Sequence, residues 1–64
     1  MRVLHFGKER EIKDLQVVFH KEVNEKNEEV DVKYIEFIVV GENKEWKDFA
    51  HYEDFKKLNP TISI

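Results

Sequence analysis

Apolar residues occupy both faces of residues 32–40, a segment that the sequence predicts to be a β-strand. It is rich in β-branched and aromatic residues and ends at the turn-forming residues 41–43. Successive residues of a strand point to opposite faces. One face carries Ile35, Phe37 and Val39, and the other carries Tyr34, Ile38 and Val40, interrupted only by Glu36. Such a strand must be covered on both sides, by the rest of the chain or by a second chain.

Two further strands are predicted before this segment. Residues 2–6 form a short alternating pattern, and Gly7 favours a hairpin turn because glycine accepts positive φ at no steric cost. Residues 11–23 fit both a strand and an amphipathic helix. The β-branched and aromatic centre of this segment favours the strand. Its alternation changes phase near Lys13–Asp14, which indicates a bulge there.

The remaining segments alternate between polar loops and short elements. Residues 24–31 are almost entirely polar and predict a solvated loop. Residues 41–44 predict a turn, and residues 45–49 a short partner strand. Residues 61–64 alternate between polar and apolar side chains and predict a final short strand.

A helix is predicted over residues 51–58. Tyr52, Phe55 and Leu58 recur every three residues and can share one buried side. Acidic residues stand early and basic residues late, as the helix dipole favours. Pro60 ends the helix, because the residue before a proline avoids the α conformation.

These elements predict a single α+β domain, mainly β, that spans residues 1–64 without a linker. Its expected architecture is a four- to five-stranded antiparallel sheet with one short helix at residues 51–58. A small SH3-like barrel is the alternative. The barrel explains residues 32–40 less well, because its outer face is normally polar. The SH3-like comparison rests on element order alone and implies no function.

Composition narrows the classes of function. The chain has 64 residues, no cysteine and a net charge of −3, with 39% charged residues of both signs. It therefore forms no disulfide or thiolate zinc site, and its charge is not typical of a general polyanion binder. No apolar run resembles a signal peptide or a membrane span. We expect a soluble, cytoplasmic protein without a cofactor.

The sequence provides little basis for metal or catalytic chemistry. Asp48, His51 and Asp54 would share one helical face if a helix began before Asp48, and these side chains can ligate a divalent ion. This is a weak candidate for a metal-dependent enzyme, since no second set of ligands accompanies it. His5 and His20 are expected at polar positions on neighbouring strands. No catalytic constellation or phosphate-binding loop is present, so we expect no enzymatic activity.

Binding of single-stranded nucleic acid is an alternative function. Small β-domains stack bases on aromatic side chains next to basic ones, and Trp46, Tyr52, Lys44 and Lys47 are the candidates here. Acidic residues interleave with every basic cluster, however, and aromatic residues of so small a domain are needed for its core.

A small protein-interaction or assembly module is the function that the sequence favours. Surplus apolar surface on a small domain often marks an interface, and aromatic residues are preferred anchors there. The candidate interface residues are Tyr34, Ile38, Val40 and Trp46. The expected partner is another protein or a second copy of the chain, with no membrane or small-molecule substrate. Accessory proteins of bacteria or their viruses have this compact character.

Overall fold

The computed structural model describes residues 1–64 and contains four strands followed by one helix. They are β1 (Arg2–His5), β2 (Lys8–Val23), β3 (Glu29–Val40), β4 (Glu45–His51) and α1 (Tyr52–Leu58). The strands form an antiparallel meander in the order β1-β2-β3-β4, curled into a half-barrel. This confirms the predicted α+β, mainly β fold. Because β1 and β4 remain edges of the sheet, the strands do not close into the alternative SH3-like barrel.

The turns and the bulge follow from local sequence. Phe6 and Gly7 link β1 to β2 with positive φ values of 51° and 71°, as the two central residues of a type I′ hairpin turn require. The register of β2 against β3 shifts between Lys13 and Gln16, where Asp14 has a φ of 55°. The predicted strand at 11–23 and its bulge are therefore confirmed.

The predicted loop at residues 24–31 is too long. The strands continue to Val23 and resume at Glu29, so that only residues 24–28 turn. Asn24 makes this tight turn possible, because its side-chain oxygen accepts hydrogen bonds from the backbone N–H groups of Lys26 and Glu28. The β2–β3 ribbon therefore projects beyond β4, and the molecule measures 43 Å along its longest axis.

The core lies on the concave face of the curled sheet. Ile35, Phe37 and Val39 are at most 2% exposed, which confirms the face predicted for residues 32–40. They pack with Val3 and Ile12 from the first hairpin and with the buried helix residue Phe55.

The convex face of β3 is covered largely by paired charged side chains. Lys13 and Lys47 lie on either side of Ile38 in the register. Lys13 reaches across β3 to Glu45 at 2.9 Å, and Lys47 pairs with Glu36. The aliphatic stems of such lysines cover apolar surface while their charged ends stay in solvent. Ile38 is therefore half-buried without a second chain.

Two predictions about the C-terminal part are wrong. Leu58 does not share the buried side of the helix with Phe55, because it lies at the last helical position and remains half exposed. Residues 61–64 form no strand. They turn back along α1 so that Ile62 and Ile64 pack against the core, and the Tyr52 hydroxyl donates to the Ile64 carbonyl at 3.0 Å. The seven-residue α1 is too short to cross a membrane.

Candidate interaction surface

An apolar groove of about 360 Å³ runs between the β1–β2 turn, β4 and the C-terminal end of α1. Six apolar residues line it, and four of them are substantially exposed. Their exposed fractions are 43% for Leu4, 76% for Phe6, 61% for Phe49 and 49% for Leu58. We call this feature the apolar groove.

The alternation of the two edge strands brings these side chains to the groove. In β1, Val3 and His5 point into the core, so Leu4 points outward. In β4, Phe49 lies between the partly buried Asp48 and Ala50 and points to the convex face. The side chains of two edge strands thus meet where the half-barrel curls.

Phe6 occupies a costly position in the turn. A bulky residue with positive φ is uncommon, since the left-handed conformation crowds its Cβ atom. The ring packs only partly on the protein, at 4.2 Å between ring centroids from His5. Most of this aromatic ring therefore faces solvent at the mouth of the groove.

A buried polar pair lies beneath the groove. His5 is 4% exposed, and its Nε2 lies 3.0 Å from Oδ2 of Asp48. Because an ionised carboxylate can only accept a hydrogen bond, Nε2 is the donor. The His5 ring also meets Phe37 edge to face, at 5.0 Å between centroids.

The environment of Asp48 favours its ionised form. Burial acts to raise the pKa of Asp48, but hydrogen bonds from His5 and from the Phe49 backbone N–H outweigh it. The electrostatic effects of the nearby His5 and Arg10 side chains on the Asp48 pKa act in the same direction as these bonds. The pKa of Asp48 consequently lies below its ordinary value.

Asn59 fixes the helix against the edge of β1. Its Oδ1 accepts from the Leu4 N–H at 2.7 Å, and its Nδ2 donates to the Leu4 and Phe55 carbonyls, both at 3.0 Å. The amide group therefore pairs with Leu4 as a neighbouring strand would. This contact holds the helical wall of the groove in place.

The groove carries little charge of its own. Its polar lining groups are His5, His51 and Asp54, of which Asp54 alone has a formal charge at neutral pH when the histidines are neutral. The surface of the groove is therefore mostly apolar, with one carboxylate among its lining groups.

The structure separates the four predicted interface residues. Tyr34, Ile38 and Val40 are half-buried on the convex face. Trp46 lies opposite Val39 in the register and so belongs to the rim of the concave face, where it is 36% exposed. Trp46 therefore shares no continuous surface with the other three.

Tyr34 is held by its neighbours on the convex face. Its hydroxyl donates to the Glu22 carboxylate, and this hydrogen bond is the main reason that the pKa of Tyr34 is raised. Its ring contacts three other rings, those of His20, Phe49 and His51, at centroid distances of 5.3, 5.6 and 4.7 Å. Phe49 thus connects this aromatic cluster to the apolar groove.

The candidates for nucleic-acid binding do not form one platform. Trp46 lies near the start of β4 and Tyr52 directly follows the end of β4, so the two are about 20 Å apart at the usual rise of a strand. Lys44 lies 5.7 Å from the centroid of the Trp46 ring. Lys47 points to the other face and pairs with Glu36.

The weak metal candidate does not assemble either. It required a helix that begins before Asp48, but Asp48 and His51 lie in β4, and the helix begins at Tyr52. Residues three apart in a strand point to opposite faces, so Asp48 turns to His5 while His51 lies beside Tyr34. No group of three His, Asp or Glu side chains is placed to hold a metal ion.

Sequence reasoning missed the groove residues and the buried pair. The small size of the domain predicts aromatic residues, Phe49 among them, in the core, and the helical spacing predicts Leu58 on a buried side. His5 is expected at a polar position near His20. In the structure His5 lies opposite Lys8, because β1 is short and pairs only with the first four residues of β2. The local pattern offered no signal for this, because a polar Asp48 next to Phe49 predicts an outward Asp48 and an inward Phe49, and the structure has the reverse.

No protein-family model matches this chain. The comparisons with curated proteins and with solved structures also gave no match.

Proposed function

We propose that the protein is a small interaction module that binds a segment of another protein in the apolar groove. The observation that carries this proposal is the convergence of Leu4, Phe6, Phe49 and Leu58, all substantially exposed, around one concavity. Exposed apolar patches on small domains commonly mark interaction sites. Two exposed phenylalanines also provide the large aromatic area on which interfaces depend.

The conformation of Phe6 supports the proposal. A hairpin turn with two positive φ values is most stable with Asn-Gly or Asp-Gly. This chain has Phe6-Gly7 instead, with the Phe6 side chain 76% exposed. An aromatic residue that lowers the stability of the turn and covers little of the core is expected where its exposed ring has a binding role.

The chemistry of the groove defines the partner segment. Leu4, Phe6 and Leu58 offer apolar surface for an aliphatic or aromatic side chain. Asp54 at the rim favours a lysine or arginine next to that side chain. We therefore propose a short segment with an apolar anchor and an adjacent basic residue. We place the module in the cytoplasm, since the absence of cysteine suits a reducing compartment.

The groove replaces the convex face as the proposed contact. The sequence favours that face because its apolar residues have no predicted element to pack against. The ion pairs of Lys13 with Glu45 and of Lys47 with Glu36 now account for much of that cover. The groove, in contrast, keeps four substantially exposed apolar side chains in one concavity.

A library of random peptides displayed on phage tests this proposal. We expect selection on the folded protein to enrich peptides that contain an apolar residue next to lysine or arginine. A synthetic peptide from this pool should bind Phe49→Ser at least about tenfold more weakly than the unmodified protein. Asp54→Asn should reduce the preference for the basic residue.

Phe19→Ser is the matched control. Phe19 is exposed to nearly the same extent as Phe49, at 65% against 61%, but lies on β2, outside the groove. It should bind the peptide like the unmodified protein. Circular dichroism establishes that each variant is folded. Equal binding by Phe49→Ser, or a selection that enriches no such peptide, would refute the proposal.

A further inference from the structure

The second half of β2 presents an unpaired strand edge. Residues 16–23 pair with β3 on one side. On the other side β1 pairs only with Lys8–Glu11, followed by two hydrogen bonds between Ile12 and Met1: the Ile12 N–H donates to the Met1 carbonyl, and the Met1 ammonium donates to the Ile12 carbonyl. Beyond the bulge, alternate backbone N–H and C=O groups of β2 therefore have no partner within the chain. Such an edge is a template for pairing with another strand.

The central part of this edge lacks the features that usually protect exposed strands. Natural edges carry charges, prolines or bulges along their length. Here residues 16–20 contain no acidic residue, lysine, arginine or proline. The bulge between Lys13 and Gln16 lies before them, and the charged Lys21 and Glu22 follow them. Val17, Phe19 and Val23 share one face and are 37%, 65% and 62% exposed. This apolar row lies directly beside the open edge.

We propose that the edge pairs with the same edge of a second copy, as an antiparallel dimer with its two-fold axis at Phe19. In this arrangement the meander continues across the axis into one sheet of two chains. Phe19 lies opposite Phe19 of the second copy, and Leu15 lies opposite Val23. The same residues on both sides of the axis make the contact self-complementary.

Charge distinguishes this register from its neighbours. Around Phe19, Lys21 faces Val17, Glu22 faces Gln16, and no like charges lie opposite each other. If the second strand slides by two residues toward the bulge, the axis moves to Val18 and Asp14 lies opposite Glu22 at two symmetric positions. These like charges destabilise the paired strands. The opposite shift, centred on His20, places two histidines face to face and leaves Leu15 and Gln16 outside the paired strand.

The proposal is independent of the apolar groove. No residue of β2 lines that groove, and no groove residue lies at the open edge of β2. A dimer formed through β2 therefore leaves both grooves free for a partner segment. Failure of either proposal leaves the other intact.

Single-cysteine variants test the register, because the chain has no cysteine of its own. Directly opposed strand residues have the Cα separation that a disulfide needs. Phe19→Cys should therefore form a disulfide dimer under mild oxidation. Lys21→Cys is the control, since the two cysteines would be offset by four residues, or about 13 Å along the strand. Equal rates for both variants, or faster cross-linking of His20→Cys than of Phe19→Cys, would overturn the proposed register.

Charge variants at Gln16 test the same contact without oxidation. Gln16→Glu places like charges opposite Glu22 at two symmetric positions and should weaken dimerisation roughly three- to thirtyfold. Gln16→Lys should strengthen it. Both variants also lie opposite Glu36 in their own chain, so thermal melts at low concentration measure their effect on the fold separately.

Sedimentation velocity from micromolar to millimolar concentration measures the dimer. The unmodified protein and Phe49→Ser should associate alike, and Phe19→Ser should associate less. A strict monomer at millimolar concentration, or association that Phe49→Ser abolishes and Phe19→Ser does not change, would overturn the proposal.

Discussion

His5 and Asp48 join the two open edges of the sheet. His5 ends β1 and Asp48 lies in the middle of β4, and their side chains meet at 3.0 Å although these strands share no backbone ladder. Since no backbone hydrogen bonds join β1 to β4, this side-chain hydrogen bond connects the two edges of the half-barrel. It also holds the end of β1, next to Phe6, against the middle of β4, next to Phe49, so the shape of the groove depends on a buried polar contact.

Loss of His5 should therefore destabilise the fold. His5→Leu leaves the Asp48 carboxylate partly buried without its side-chain donor, which should cost about 1–3 kcal/mol of unfolding free energy. Asp48→Asn should cost less, because an amide oxygen still accepts from Nε2. Urea unfolding measures both effects. Glu9→Gln is the control in the same hairpin: it weakens the exposed Arg2–Glu9 pair and should change little. A His5→Leu variant as stable as Glu9→Gln would contradict this assignment.

The same pair predicts how stability responds to acid. The pKa of Asp48 is lower in the folded protein than its ordinary value of 3.8. Its contribution is therefore present above about pH 4 and is lost as the pH falls through the folded value. The difference in unfolding free energy between the unmodified protein and Asp48→Asn should therefore be smaller at pH 3 than at pH 7. Denaturant titrations at pH 7, 4 and 3 measure this difference, and one that grows on acidification would contradict the prediction.

Local pattern predicted most of the fold. The alternation around Ile35 and Phe37, the glycine of the first turn and the phase change near Asp14 each act over a few residues. Such signals can be read without knowledge of the rest of the chain. They placed every strand of the meander and the single helix.

The groove could not be predicted from local sequence pattern, because it depends on contacts between residues that are distant in the chain. His5 meets Asp48 only because the sheet curls, and Asn59 meets Leu4 only because α1 returns to the edge of β1. The Asn59 side chain occupies the position beside β1 where a further strand would pair. This explains why the alternating residues 61–64 are not a strand.

Asn59 should be among the residues most important for stability. Asn59→Ala removes its hydrogen bonds to Leu4 and Phe55 and should cost roughly 2–4 kcal/mol in chemical denaturation. Asn59→Asp should lower the free energy of unfolding further, because a carboxylate oxygen would face two carbonyl oxygens where Nδ2 now donates. Asn43→Ala, at an exposed turn position, is the control and should be close to neutral. An Asn59→Ala variant indistinguishable from Asn43→Ala would show that the amide bonds contribute little.

Single-stranded oligonucleotides should not bind through Trp46. The net charge is −3, and Trp46 is too far from Tyr52 for both rings to stack on adjacent bases. Titration of the protein with oligo-dT in low salt should leave the fluorescence of its single tryptophan unchanged. Saturable quenching that added salt reverses would contradict this prediction and restore the nucleic-acid alternative.

Phe6→Asn should separate stability from binding. Asn-Gly is the preferred pair for a hairpin turn in which both central residues have positive φ, as at Phe6 and Gly7. The substitution should therefore raise the unfolding free energy by roughly 0.5–1 kcal/mol, since Asn tolerates this conformation better than Phe. It also removes an aromatic wall of the groove, so a peptide selected on the unmodified protein should bind less tightly. Chemical denaturation and a peptide titration measure the two effects on the same sample. If Phe6→Asn were less stable, the exposed Phe6 ring would have a structural role, and its proposed function in binding would lose its main support.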